Sequence, residues 1–216
     1  MSSDWSSDVC SSDLVEAYYN LGKTYCENNE FDKSISCFNY SLELDPNYAD
    51  AYNNLGLVYA ELGKVDKAIA HYRRALSIDP RSAETLNNLG NLIMQTKGAG
   101  NAVRYYEKAL SLDPDYSKAH NNLGLVYLHM GQTQSAIEHF QEAIRIDPNY
   151  ANAHQNLGAA YVAVGDYEKA AAQFRETLRI HPTHIEARES LEPLMKENTA
   201  RREPRPPSRE THRVNR

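Results

Sequence analysis

Apolar residues along this chain recur at i, i+3, i+4 and i+7, the period of an amphipathic helix, and they do so in blocks. Over residues 49–82, Tyr52, Leu55, Gly56 and Tyr59 share one helical face and Gly63 then interrupts the run. Ala68, Tyr72, Ala75 and Leu76 form a second face, which stops before Asp79 and Pro80. Proline pushes the residue before it out of the helical region, so the second helix ends there. The block predicts two helices joined by a short turn, a hairpin of 34 residues.

The blocks keep strict register. Leu-Gly recurs at Leu21-Gly22, Leu55-Gly56, Leu89-Gly90, Leu123-Gly124 and Leu157-Gly158, and proline at Pro46, Pro80, Pro114, Pro148 and Pro182, each 34 residues after the last. Five units follow without insertion, at 15–48, 49–82, 83–116, 117–150 and 151–184. A period of this length marks a repeat array. Glycine at the eighth position of every unit costs about 1 kcal/mol relative to alanine inside a helix, so something must compensate. The expected partner is the small residue at position twenty (Ser34, Ala68, Ala102, Ala136, Ala170), which lets two backbones approach. The aromatic at position twenty-four (Phe38, Tyr72, Tyr106, Phe140, Phe174) would then fill the space beside them. Small residues at position twenty-seven (Ser41, Ala75, Ala109, Ala143, Thr177) would let the next hairpin stack and bury faces that one hairpin cannot bury alone.

This pattern of length, register and alternating small and large residues resembles the tetratricopeptide repeat family, over 170 of the 216 residues. The resemblance implies an all-α fold, a right-handed α-solenoid with the first helices lining its concave face. One departure is local: the third unit has Lys97-Gly98-Ala99-Gly100 where a glycine and then an aromatic are usual, which predicts a looser hairpin. Gly98 to Gly100 is not read as a phosphate loop, because no strand precedes it and no Gly-Lys-Ser/Thr follows.

The two ends stand apart from the array. Residues 4–14, DWSSDVCSSDL, hold the only Trp and no helical period, and they read as the translated end of a widely used short-read sequencing adapter. On that reading residues 1–14 are non-native and disordered, the source is a metagenomic fragment, and the true amino terminus is missing. Residues 185–199 continue the register with polar replacements at Arg188, Glu189 and Glu192, predicting a capping helix shortened or kinked at Pro193. Residues 200–216 are charged and proline-containing, the composition of a disordered basic tail.

Charge follows the same division. Six Arg and two Glu give residues 201–216 a net charge of +4, leaving −10 on the remainder of a chain whose total is −6. An acidic array argues against nucleic acid as partner, and no run of eighteen apolar residues encodes a membrane span. Three cysteines make no even-numbered disulfide framework, and the reading is a cytoplasmic, reduced protein. His120 and His154, at position four of adjacent units, read as half-buried packing residues, and His181 and His184 flank Pro182. No metal, cofactor or catalytic constellation is legible, so the chain is not read as an enzyme.

Function is then sought on the first helices, at positions two, five, six, nine, twelve and thirteen. Position six is asparagine in all five units (Asn20, Asn54, Asn88, Asn122, Asn156); position five adds Asn53, Asn87, Asn121 and Gln155, and position nine Asn91. A carboxamide offers a donor and an acceptor, so a line of them can pair with the backbone of an extended chain whatever its side chains; the alternative role is to brace the stack. The resemblance implies the same ladder, since superhelical members such as the O-GlcNAc transferases carry one. Carboxylates at positions two and thirteen (Glu16, Glu27, Asp50, Glu61, Glu84) outnumber Lys23 and Lys118 and lie in the first three units. They favour a neutral or basic segment. The carboxylate clamp of chaperone-binding members needs bases that positions five and six here lack, so acidic chaperone tails are disfavoured. The leading expectation is a protein or peptide interaction module. The alternatives are the targeting arm of a larger, truncated enzyme such as a glycosyltransferase, and a scaffold that self-associates through exposed terminal repeats as a homo-oligomer.

Overall fold

The structure, a computed structural model, describes the backbone of residues 11–202 and the side chains of residues 12–195. Among these residues there are eleven helices and no strand. They are α1 (Ser11–Glu27), α2 (Phe31–Leu44), α3 (Ala49–Glu61), α4 (Val65–Ile78), α5 (Ala83–Lys97), α6 (Ala99–Leu112), α7 (Ser117–His129), α8 (Thr133–Ile146), α9 (Ala151–Ala163), α10 (Tyr167–Ile180) and α11 (Ile185–Arg202). Each odd-numbered helix up to α9 packs on the next as a hairpin, each hairpin packs on its successor, and α11 lies on α10. This is an α-solenoid. First helices of successive units also touch one another, α1 with α3 through to α7 with α9. The layer whose members are closest lies on the inside of a curve, which puts the first helices on the concave face.

Local chemistry places the turns. Within four of the hairpins the chain reverses at position fifteen through a left-handed residue: Asn29 (φ 60°), Gly63 (68°), Gly131 (75°) and Gly165 (79°). Between units, the helix stops at an extended aspartate whose Oδ1 accepts the amide two residues on, as Asp79 does from Arg81 (2.9 Å) and Asp147 from Asn149 (3.0 Å). These side-chain turns bridge the proline, which has no N–H to give.

The reason for the eighth-position glycine differs from the expected one. A Cβ built there would sit 2.5–2.8 Å from the aromatic ring at position twenty-four, as for Gly158 against Phe174 and Gly90 against Tyr106. Those rings are at most 1% exposed, so they cannot step aside. The aromatic therefore lies directly on the glycine. The small residue at position twenty completes the contact: Ser34 Oγ donates to the Gly22 carbonyl at 2.8 Å. At position twenty-seven, Ala109 packs in one cluster with Leu86 and Ala119, the latter from the next unit.

The ends depart from expectation in two ways. Residues 11–14, expected to be disordered, are the first turn of α1; residues 1–10 lie outside the described residues. At the other end α11 runs through Pro193 to Arg202, beyond the expected stop at 199. Pro193 is exposed, so water can satisfy the carbonyl it leaves free, while Ala187 and Leu191 are buried and hold the helix. Residues 203–216, expected to be a disordered tail, lie outside the described residues.

Candidate functional site: an amide ladder in an acidic groove

Positions five and six are adjacent on a helix, about 100° apart around its axis, and the stack treats them differently. Asn53, Asn87 and Asn121 are buried at 3–4% exposure, whereas Asn54, Asn88, Asn122 and Asn156 are half-buried and Asn20 is exposed. The two rows are joined from unit to unit. Asn88 Nδ2 donates to Asn53 Oδ1 (3.1 Å), Asn122 Nδ2 to Asn87 Oδ1 (2.9 Å) and Asn156 Nδ2 to Asn121 Oδ1 (2.8 Å). Asn54 Nδ2 finds Tyr19, which stands in place of asparagine in the first unit, at 3.0 Å and the Asp50 carbonyl at 2.9 Å. Position five is thus a brace between hairpins, and each bond also fixes the rotation of a position-six carboxamide.

What the brace leaves over can be counted from the chemistry of the amide, two N–H donors and one oxygen with two lone pairs. Among the described residues, Asn88 and Asn156 each spend one N–H and keep the other N–H and the oxygen. Asn122 spends both: its Nδ2 also donates to Asn91 Oδ1 at 2.9 Å, and Asn91 Oδ1 accepts the Tyr106 hydroxyl at 2.7 Å. At the end of the row, Gln155 Oε1 is buried and has no hydrogen-bond partner among the described residues. Its counterpart at position six of the following stretch is Ser190, and the asparagine that would continue the ladder is missing.

The five carboxylates, Glu16, Glu27, Asp50, Glu61 and Glu84, are all exposed, and their fields overlap. The Tyr19 hydroxyl is pushed up to about 12, first by burial and then by Asp50, against the pull of its bond from Asn54, with Glu84 of the third unit adding to the rise. Burial and then Glu61 and Glu27 push the Cys26 thiol up. Carboxylates of the first three units therefore act together on side chains of the first hairpin.

His120 and His154 serve packing. His154 is 7% exposed; its Nε2 meets the Pro148 carbonyl (3.1 Å) and its Nδ1 the Gln173 side chain (2.7 Å). His120 repeats the arrangement with the Pro114 carbonyl (3.0 Å) and His139 (3.0 Å). No group of three or more metal-ligating side chains occurs among the described residues, and no helix there is long and apolar enough to cross a membrane.

A solenoid of stacked helical hairpins is the architecture of a protein-interaction module, and the comparisons agree. The family model for the tetratricopeptide repeat matches residues 81–149 and 115–183, a second model of that description residues 49–82, and a TPR repeat model residues 22–63. The chain belongs to the tetratricopeptide repeat family. Among solved structures it is similar to MamA, at 29% identity over 74% of this chain and 94% of that one, with a TM-score of 0.61. It shares its fold with YrrB, a TPR protein described as having an unusual peptide-binding site (24% identity, 81% and 90% covered, TM-score 0.59). The same holds for pilF of Pseudomonas aeruginosa (24% identity, 89% and 93% covered, TM-score 0.73). No curated protein matches the chain.

Proposed function

We propose that this chain binds an extended, neutral or basic polypeptide segment along its concave groove. The observation that carries the reading is the division of labour in the asparagine rows. Buried Asn53 and Asn121 hold Asn88 and Asn156 by one N–H each, so the remaining N–H and oxygen are pre-oriented rather than free to rotate. A preformed donor and acceptor loses less entropy on binding than a mobile one. They suit the C=O and N–H of a peptide unit, and the exposed carboxylates of the first three units favour Lys and Arg or no charge. Binding energy comes from the backbone; selectivity comes from the rim.

The test is peptide affinity, measured by fluorescence anisotropy against segments selected from a random library. Asn88→Ala with Asn156→Ala is expected to weaken binding at least tenfold. It also costs stability, because Asn53 and Asn121 are left with unpaired buried oxygens, each at about 1–3 kcal/mol. Affinity is therefore read well below the melting temperature. Glu61→Gln with Glu84→Gln leaves packing intact and is expected to weaken basic peptides while flattening their salt dependence. Unchanged affinity in both double variants contradicts the reading.

A further inference from the structure

One place in the groove is built differently. Position seventeen, the first residues of the second helix, carries Phe31, Val65, Thr133 and Tyr167 in four units but Ala99 in the third. There α5 runs two residues further than its counterpart α3 relative to the unit, to Lys97, and α6 begins at Ala99 immediately after Gly98. Between α5, the start of α6 and α7 the structure leaves a pocket of about 580 Å³. Met94 and Ala99 of the third unit and Leu125 of the fourth give it an apolar lining, and Asn91, Asn122 and His129 line it with polar groups. The volume falls in the range of ligand-binding clefts.

The ladder has little to offer a peptide backbone at this point. Both N–H groups of Asn122 are spent inside the protein, on Asn87 and on Asn91, and Asn121 Nδ2 lies 3.4 Å from its oxygen. A segment crossing this pocket is therefore held by burying a side chain, whereas at Asn88 and Asn156 the backbone can be held. The charge on the rim also changes here. Position thirteen reads Glu27, Glu61, Gln95, His129, Ala163 along the array, and position two reads Glu16, Asp50, Glu84, Lys118, Asn152. Carboxylates stop at the third unit, where the pocket sits.

We infer that the pocket between the third and fourth units seats one large apolar side chain of the bound polypeptide, whose Lys or Arg residues lie to the side of the first three units. This rests on the groove reading above and gives it a register: an anchor in a fixed place with basic residues on one side of it. Burying a Leu- or Phe-sized side chain contributes on the order of tenfold to a hundredfold in affinity, enough to make the anchor the most selective position in the segment.

Random extended peptides are selected against the full chain, and the best binder is titrated by fluorescence anisotropy against wild type, Ala99→Val and Ala99→Phe. Val65 and Phe31 occupy the equivalent position in their own units, so both variants are expected to fold, which thermal melts check; Leu125→Gln alters the opposite wall should α6 be disturbed. The selected peptides are expected to share a large apolar residue with Lys or Arg on one side only. Replacing that residue by Ala is expected to cost at least tenfold in wild type and almost nothing in Ala99→Phe. Equal binding by wild type and Ala99→Phe, with no apolar preference in the peptides, overturns the pocket and leaves groove binding standing. Failure of the wild-type chain to select any peptide overturns both.

Discussion

The turn of the third hairpin and the turns of the other four solve the same problem with a positive-φ residue one position apart. In the four, a left-handed residue at position fifteen is followed by a separate residue that starts the second helix, and Asn29 shows that glycine is optional there. In the third, Lys97 stays helical and Gly98 alone joins the two helices at φ 85°, ψ 166°, a region open essentially only to glycine. The difference teaches that a one-residue shift need not loosen a hairpin. It moves the constraint onto one irreplaceable residue, lengthens the first helix, and with Ala99 opens the groove at that unit.

The two kinds of turn differ most at their glycines. Gly98→Ala is expected to cost about 1–3 kcal/mol, since no Cβ-bearing residue adopts that conformation without strain. Beyond its two chain neighbours no heavy atom lies within 4 Å of the added Cβ, so the loss is conformational rather than steric. Gly63→Asn, which copies Asn29, is expected to cost clearly less, because asparagine visits the left-handed region routinely. Urea unfolding of both variants checks the pair, and equal costs would show that the turns are equivalent after all.

Next in size is the aromatic that lies on the glycine. The Tyr106 hydroxyl donates to Asn91 at 2.7 Å, whereas the Tyr72 hydroxyl has no hydrogen-bond partner among the described residues. Tyr106→Phe is expected to lose about 1 kcal/mol and Tyr72→Phe close to nothing, by the same urea assay. Of similar size and opposite sign, Gly100→Ala is expected to stabilise by about 0.4–1 kcal/mol. Gly100 lies in α6 with open space around it, so it has the entropy of glycine without the need for it.

The smallest effect is in pH. Burial holds His71 and His139 below the ordinary 6.5, with Lys67 and His120 respectively pushing further the same way. His120 Nε2–H donates to the Pro114 carbonyl, so its Nδ1 accepts from His139 Nδ1–H. A depressed histidine binds its proton more readily in the unfolded chain, so its contribution is complete above pH 6.5 and is lost as pH falls through the folded value. The melting temperature is expected to drop between pH 7 and pH 5, and His139→Gln, which copies Gln173, is expected to shrink that drop.

Much of the fold could be read from spacing alone, because Leu-Gly and Pro keep one period and each hairpin's apolar faces are helical. The turn of the third unit could not: Gly98 and Gly100 both qualify for a positive φ, and only the packing of α5 decides between them. The ladder was legible as residues and not as bonds. Positions five and six look alike in sequence, and it is the neighbouring hairpin that buries one and leaves the other facing the groove. The capping helix is continuous through Pro193 because burial of Ala187 and Leu191 outweighs one lost backbone bond on an exposed side.

The central claim is that position-six carboxamides present a fixed, open edge to a bound backbone. Side-chain amide resonances of the chain, assigned by NMR and followed during titration with a selected peptide, test it most directly. The account predicts large shifts at Asn88 and Asn156 and small ones at Asn53, Asn87 and Asn121, whose amides are buried between hairpins. A peptide that binds while the Asn88 and Asn156 resonances stay still would contradict it.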